Sequence, residues 1–145
     1  MDQLYLLATL AGVRVAVDTR EVEAVVKLAD ISPVPGMAAH VAGLSALRSR
    51  VLTIIDVPAL ISGRPTPVRE RSFAIIADIA GHSYGLLVDA VHDICQVPDG
   101  ELPLRGQLDR AWAPYARAIV EQDGQPYLLV SLASFIETAA PAHAA

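Results

Sequence analysis

Apolar and polar positions alternate with a period of two along much of this chain, the pattern of strands rather than helices. Leu4, Leu6, Ala8 and Leu10 fall on one face of the first run, with Tyr5, Leu7 and Thr9 on the other. Gly12 then marks a turn into Arg14–Asp18. Phe73–Ile79, Gly81 and Tyr84–Val88 repeat that hairpin pattern. Val51–Val57 and Pro126–Leu132 read as further β-rich runs. Asp123-Gly124, just before the second of these, is a strong hairpin signal because both residues tolerate positive φ. Its counterpart, Arg48-Ser49, is weaker.

Predicted helix is short. Asp18-Thr19-Arg20-Glu21 resembles a capping box, with Val22, Val25 and Val26 at helical spacing behind it. Asp56 and Pro58 suit the start of a helical turn through Leu60 and Ile61. Pro33 and Pro35 hold Ser32–Gly36 extended. The tail over residues 138–145, rich in alanine and without a partner face, is expected to be disordered.

The alternation hides a repeat. Leu4–Asp30 lies on Phe73–Asp99 at a constant offset of 69, without a gap. Ala11-Gly12 falls on Ala80-Gly81, Val22 on Val91 and Val25 on Ile94. His40–Ile61 lies on Tyr115–Ile136 at an offset of 75, so Leu44 meets Ile119 and Ile54 meets Leu129. The change from 69 to 75 is an insertion of six residues between Gly100 and Pro114. Ser62–Arg71, with Gly63, Pro65 and Pro67, reads as the linker between copies. The expected fold is all-β with short helices: two small packed barrels with a core shared between them, since each copy alone is marginal in size. Residues 1–137 form one domain, with subdomains at about 10–65 and 70–137 and room for strand exchange by the N-terminal residues.

Composition narrows the function. Hydrophobic residues make up 53% of the chain, a high share that suggests a thoroughly buried interior with apolar surface left for partners. The longest nearly uncharged apolar stretch, Leu4–Val13, stops at Arg14, well short of the roughly 20 residues that span a bilayer. Asp2 stands where a secretory signal would carry basic residues, so the chain is expected to be cytoplasmic. A net charge of −5 disfavours nucleic acid as a partner. A single cysteine, Cys95, excludes an internal disulfide and reads as a small buried hydrophobe.

Candidate chemistry is sparse. Gly81-His82-Ser83-Tyr84-Gly85 matches G-x-S-x-G, but a nucleophile elbow needs a strand, a sharp turn and a helix. Here the pattern falls in a strand–turn–strand hairpin, and its repeat mate carries Arg14 in place of Ser83. A small serine hydrolase using Ser83 is thus a remote alternative. His40, His82, His92 and His143 lack metal-ligand spacing, and no glycine-rich phosphate loop opens a helix. Glu21 and Glu23 sit near a predicted helix start, where negative charge is favourable. The expectation is a protein that acts through surfaces, with no catalytic residues, metal or cofactor.

Two stretches then become informative. Ser32-Pro33-Val34-Pro35-Gly36, followed by His40 through Val57 with Gly43-Leu44-Ser45-Ala46-Leu47-Arg48-Ser49 at its centre, resembles the CheW family of bacterial chemotaxis coupling proteins. That family's pattern runs PVPG, then hydrophobic-x-G-hydrophobic-x-NLRG, then an apolar strand ending in Asp. Gly85–Ile94 resembles a second hallmark, and the resemblance covers about residues 4 to 136. It implies two five-stranded barrels around a hydrophobic junction. It also implies a job, linking the cytoplasmic tips of methyl-accepting chemoreceptors to the histidine kinase CheA, whose regulatory domain shares the fold. The chain is expected to be monomeric alone and hetero-oligomeric in receptor arrays. A CheW-like competitor that damps array signalling is the alternative.

Carried over from that resemblance, the receptor-binding groove includes Val22, Gly43, Leu44, Leu47, Arg48 and Val91. Apolar side chains there would receive helix anchors, and Gly43 would permit close approach of a partner. Contact with the kinase would use barrel edges around Val13, Val15 and Thr19. The sequence departs from the family at Ala24, where many members carry a Glu that can pair with the arginine at the Arg48 position. Ala46 replaces the usual Asn and Ser49 the usual Gly.

Overall fold

Strands form where apolar residues alternate, and tight turns form where the chain can reach positive φ. The order is β1 (Leu4–Leu10), β2 (Val13–Asp18), a 3₁₀ turn (Thr19–Glu21), β3 (Ala24–Lys27), β4 (Val41–Leu47), β5 (Arg50–Ile55), α1 (Val57–Ser62), β6 (Phe73–Ile79), β7 (His82–Val88), β8 (Ala90–Gln96), β9 (Ala116–Gln122), β10 (Gln125–Val130) and α2 (Leu132–Ala139). This computed structural model describes residues 3–28, 31–33, 40–47, 49–64, 66–67, 73–97, 100–104 and 110–139. Arg48, the Pro35-Gly36 pair, residues 105–109 of the insertion and the tail beyond residue 139 lie outside the described residues, as does part of the linker. The hairpins turn at Ala11-Gly12, Ala80-Gly81 and Asp123-Gly124, with φ of 50 and 80°, 53 and 82°, and 53 and 76°. Positive φ at both central positions is the twist that joins antiparallel strands without splaying them.

The two repeat offsets hold element by element: β1 and β6 start 69 residues apart, and β4 and β9, β5 and β10, and α1 and α2 start 75 apart. Two readings need correction. The segment behind Asp18 is no helix. Asp18 caps only the 3₁₀ turn, accepting from the Arg20 backbone N–H, and Ala24–Lys27 then pairs with β6. Valines are stiff at Cβ and fit a pleated surface, so strand pairing overrides the helical spacing. The β-rich runs also end early, because Val57 and Leu132 begin α1 and α2. Asp56 caps α1 and accepts from the Ala59 N–H at 3.3 Å.

The sheets follow neither copy alone. One has the order β8-β1-β2-β10-β9 and the other β3-β6-β7-β5-β4. Each inserts a hairpin from one copy among three strands of the other. The β1–β2 exchange involves the N-terminal residues, but β6–β7 makes the reciprocal move, so boundaries at 10–65 and 70–137 do not describe the sheets. On one side of each hairpin the join between copies is parallel, β2 with β10 and β7 with β5, and on the other side it is antiparallel, β1 with β8 and β6 with β3. Each sheet curls toward a barrel, and among the described residues one antiparallel bridge meets an outer strand of each. Ser32 and Leu44 exchange backbone bonds of 2.8 and 2.9 Å, and Leu102 and Ile119 exchange bonds of 2.7 and 2.8 Å.

Alternation along β1 sorts its side chains between two interiors. Tyr5 and Leu7 pack inside the first sheet with Ala16, Ala118, Val120 and Leu129. Leu6, Ala8 and Leu10 face a larger core shared by both sheets, with Ile75, Ala77, Leu86, Val88 and the buried faces of α1 and α2. Leu52, Ile54, Ala74, Ile76 and Leu87 fill the second sheet. In the shared core Phe135 stacks on Tyr115, ring centres 4.3 Å apart, and meets Trp112 edge-on at 6.2 Å.

Candidate protein-interaction site

The second barrel is incompletely closed. Beyond the Ser32–Leu44 bridge no ladder joins β3 to β4 among the described residues, and a groove of about 460 Å³ lies there, lined by Glu23, Ala24, Val26, Leu47, Ser49 and Arg50. Its floor is apolar and its rim charged. Arg50, the first residue of β5, grips Glu23 bidentately: Nη2 to Oε1 is 2.6 Å and Nη1 to Oε2 is 3.1 Å. Arg50 Nη1 also reaches Ser83 Oγ at 3.3 Å and Asp78 at 3.5 Å. Ser83 Oγ donates to Asp78 Oδ1 at 2.6 Å. The cluster therefore crosses the ends of four neighbouring strands. The Glu23 hydrogen bond holds the Arg50 guanidinium above its ordinary range. The Ser83 hydroxyl and the Arg50 cation hold the Asp78 carboxyl below its own.

Ser83 thus sits within β7, hydrogen-bonded to a carboxylate and a guanidinium, and not at a strand-to-helix corner. The nucleophile-elbow geometry is not formed. Among the described residues, no group of three or more His, Cys, Asp or Glu side chains could hold a metal ion.

The anticipated receptor residues are distributed over both sheets. Leu47 lines the groove. Leu44 is half-buried on β4 and makes the closing bridge. Gly43 is buried at φ +145°, and a Cβ there would overlap the Ser32 carbonyl. The close approach that Gly43 permits is therefore by the chain's own Ser32. Val22 packs half-buried against the shared core, and Val91 is 37% exposed on β8, opposite Ala8. The repeat makes Val22, just before β3, the counterpart of Val91 on β8.

Four of the exposed apolar side chains obey the same symmetry. Ile94 lies opposite Leu6 and Val25 opposite Ile75, and both partners belong to the shared core. Leu4 shares the face of Leu6, and Phe73 that of Ile75. Ile94 is 56% exposed, Leu4 and Phe73 41% each, and Val25 37%. Each is its counterpart's repeat mate, 69 residues away. Two equivalent apolar margins thus carry the shared core out to the surface, one at β8–β1 and one at β3–β6.

The residues expected to face the kinase lie on and just after β2. β2 is paired on both sides, by β1 and β10, and has no free edge. Val15 is fully buried in the shared core, because alternation turns it inward. Val13 is half-buried against that core, and Thr19 Oγ1 donates to the Leu4 carbonyl at 3.2 Å. The outer strands of the two sheets are β8, β9, β3 and β4, of which β4 and β9 carry the closing bridges.

Sequence reasoning missed Arg50 and Asp78. Nothing local marks them, since Arg50 meets Glu23 across 27 positions and Ser83 across 33. The alternation did carry a usable signal: Asp78 and Ser83 flank the Ala80-Gly81 turn and so face each other across a hairpin.

The sequence model of the CheW-like domain family matches residues 4–140. The chemotaxis protein CheW of Rhizobium meliloti (strain 1021) is 32% identical over 107 residues, covering 71% of this chain and 67% of its own length. The chemotaxis protein CheW of Thermotoga maritima is 26% identical over 122 residues, covering 84% of this chain and 80% of its own. Among solved structures, the scaffolding protein TtCheW from Thermoanaerobacter tengcongensis matches with a TM-score of 0.75 at 24% identity, over 91% of this chain and 86% of that one.

Proposed function

The chain belongs to the CheW-like domain family, and from that premise we propose that it couples the cytoplasmic tips of chemoreceptors to a CheA-type histidine kinase, as a non-catalytic adaptor in chemotaxis-type signalling. The observation that carries the reading is the pair of repeat-related apolar margins, Leu4 with Ile94 and Phe73 with Val25, where a water-exposed surface keeps large hydrophobic side chains. An adaptor needs more than one such surface, and a duplicated fold supplies them in equivalent settings.

In this reading the receptor tip engages Val22, Leu44, Leu47 and Val91, with Arg48 beside them. Gly43 contributes indirectly, by letting Ser32 close the barrel. The kinase regulatory domain contacts Val13 and Thr19. The protein works in the cytoplasm at receptor arrays and is monomeric alone. No helix among the described residues is long and apolar enough to cross a membrane.

Reconstitution with receptor tips and kinase tests the proposal. The expected result is receptor-dependent kinase activation. Dose-dependent loss of kinase output would instead identify a competitor that occupies array sites and would overturn the coupling role. Arg48→Glu is expected to weaken receptor control while the protein stays folded, and intact control would remove Arg48 from the site.

A further inference from the structure

The open side of the second barrel is held in two different ways. At one end the backbone holds it, through the two Ser32–Leu44 hydrogen bonds. At the other end side chains hold it. Glu23 leads into β3, Arg50 opens β5 directly after the β4–β5 turn, and both line the groove between β3 and β4. Their bidentate pair, at 2.6 and 3.1 Å, therefore ties one wall of the groove to the other. A guanidinium–carboxylate fork is directional, so it fixes spacing as well as charge. Arg50 is itself held by Ser83, which is held by Asp78. A side chain already restrained by a network loses less freedom in making its next contact.

Resting on the adaptor reading, we propose that the Arg50–Glu23 pair is a clasp that sets the width of this groove and so determines which apolar side chain of a receptor tip can rest on Ala24, Val26 and Leu47. Arg50 and Glu23 are positioning residues here. Ser83 is their buttress, which gives the G-x-S-x-G pattern a structural purpose without catalysis. The clasp also explains how this chain tolerates alanine at position 24, since a carboxylate one residue earlier already reaches an arginine across the groove.

Titration calorimetry with a receptor cytoplasmic-tip fragment and, separately, a CheA regulatory domain tests the clasp. Arg50→Gln and Glu23→Gln are each expected to weaken tip binding roughly fivefold, the scale of a partly exposed ion pair, and to leave kinase-domain binding unchanged. The double variant is expected to be no weaker than either single one, because both remove the same interaction. Equal loss toward both ligands, or fully additive losses, would overturn the clasp. Wild-type protein that binds neither ligand would sink the adaptor reading instead. The clasp is then read in the free protein: Arg50→Gln is expected to speed amide hydrogen exchange over Ala24–Lys27, and unchanged exchange there overturns it.

Discussion

A methyl group at Gly43 has nowhere to go. The backbone sits at φ +145°, and the space a Cβ would fill is held by the Ser32 carbonyl that closes the barrel. Gly43→Ala is therefore expected to cost about 2–3 kcal/mol, from combined backbone strain and a weakened closing bridge. Urea denaturation measures it, and a change under about 0.5 kcal/mol would show that the bridge bends freely. The need for glycine was legible in the sequence, but its cause was not. A glycine in a strand signals that some backbone comes close; only the fold shows that this backbone is the chain's own. Residue identity likewise pointed to Arg48 and passed over Arg50, because an ion pair depends on which strand ends meet.

At the scale of elements, the two helices occupy equivalent places and are capped by different means. Asp56 caps α1 from its own chain position and also accepts from the backbone N–H and hydroxyl of Thr66, at 2.8 and 2.7 Å. Its repeat mate before α2 is Ser131. There the carboxylate comes from elsewhere: Glu21, in the 3₁₀ turn, accepts from Ser131 Oγ and from the Leu132 N–H, both at 3.2 Å. The favourable place for a negative charge at a helix start, read from the sequence around Glu21, is real but belongs to a helix 111 positions away. Glu21→Ala is expected to cost about 1 kcal/mol, the usual scale for a lost N-terminal cap. Hydrogen exchange should rise at Leu132–Ile136 and not along α1. Equal change in both helices would show that Glu21 acts on the whole fold and not as a cap.

For the whole molecule, the shared core decides how it behaves. Both sheets and both helices contribute to it, so neither barrel can lose its packing alone. Phe135 is fully buried at its centre, against Tyr115 and Trp112. Phe135→Ala is expected to destabilise the protein by about 3–5 kcal/mol. It is also expected to keep a single unfolding transition in calorimetry, and two separable transitions would mean that the sheets unfold independently. The exchanged hairpins favour one unit as well, because each sheet contains strands from both copies.

The sequence by itself determined the leading hairpin of each copy, the runs that become β5 and β10, and how the two copies align. Period-two alternation and positive-φ turns act over a few neighbouring residues, so the offsets of 69 and 75 could be read directly and hold in the structure. Only the tertiary structure decided which strands share a sheet, that Val22–Lys27 extends instead of coiling, that β2 has no free edge, and which carboxylate meets Arg50 or caps α2. Each of those outcomes is a contact between segments far apart in the chain. Their pairing energy is set by what packs on both faces at once, a quantity that no local window of residues contains.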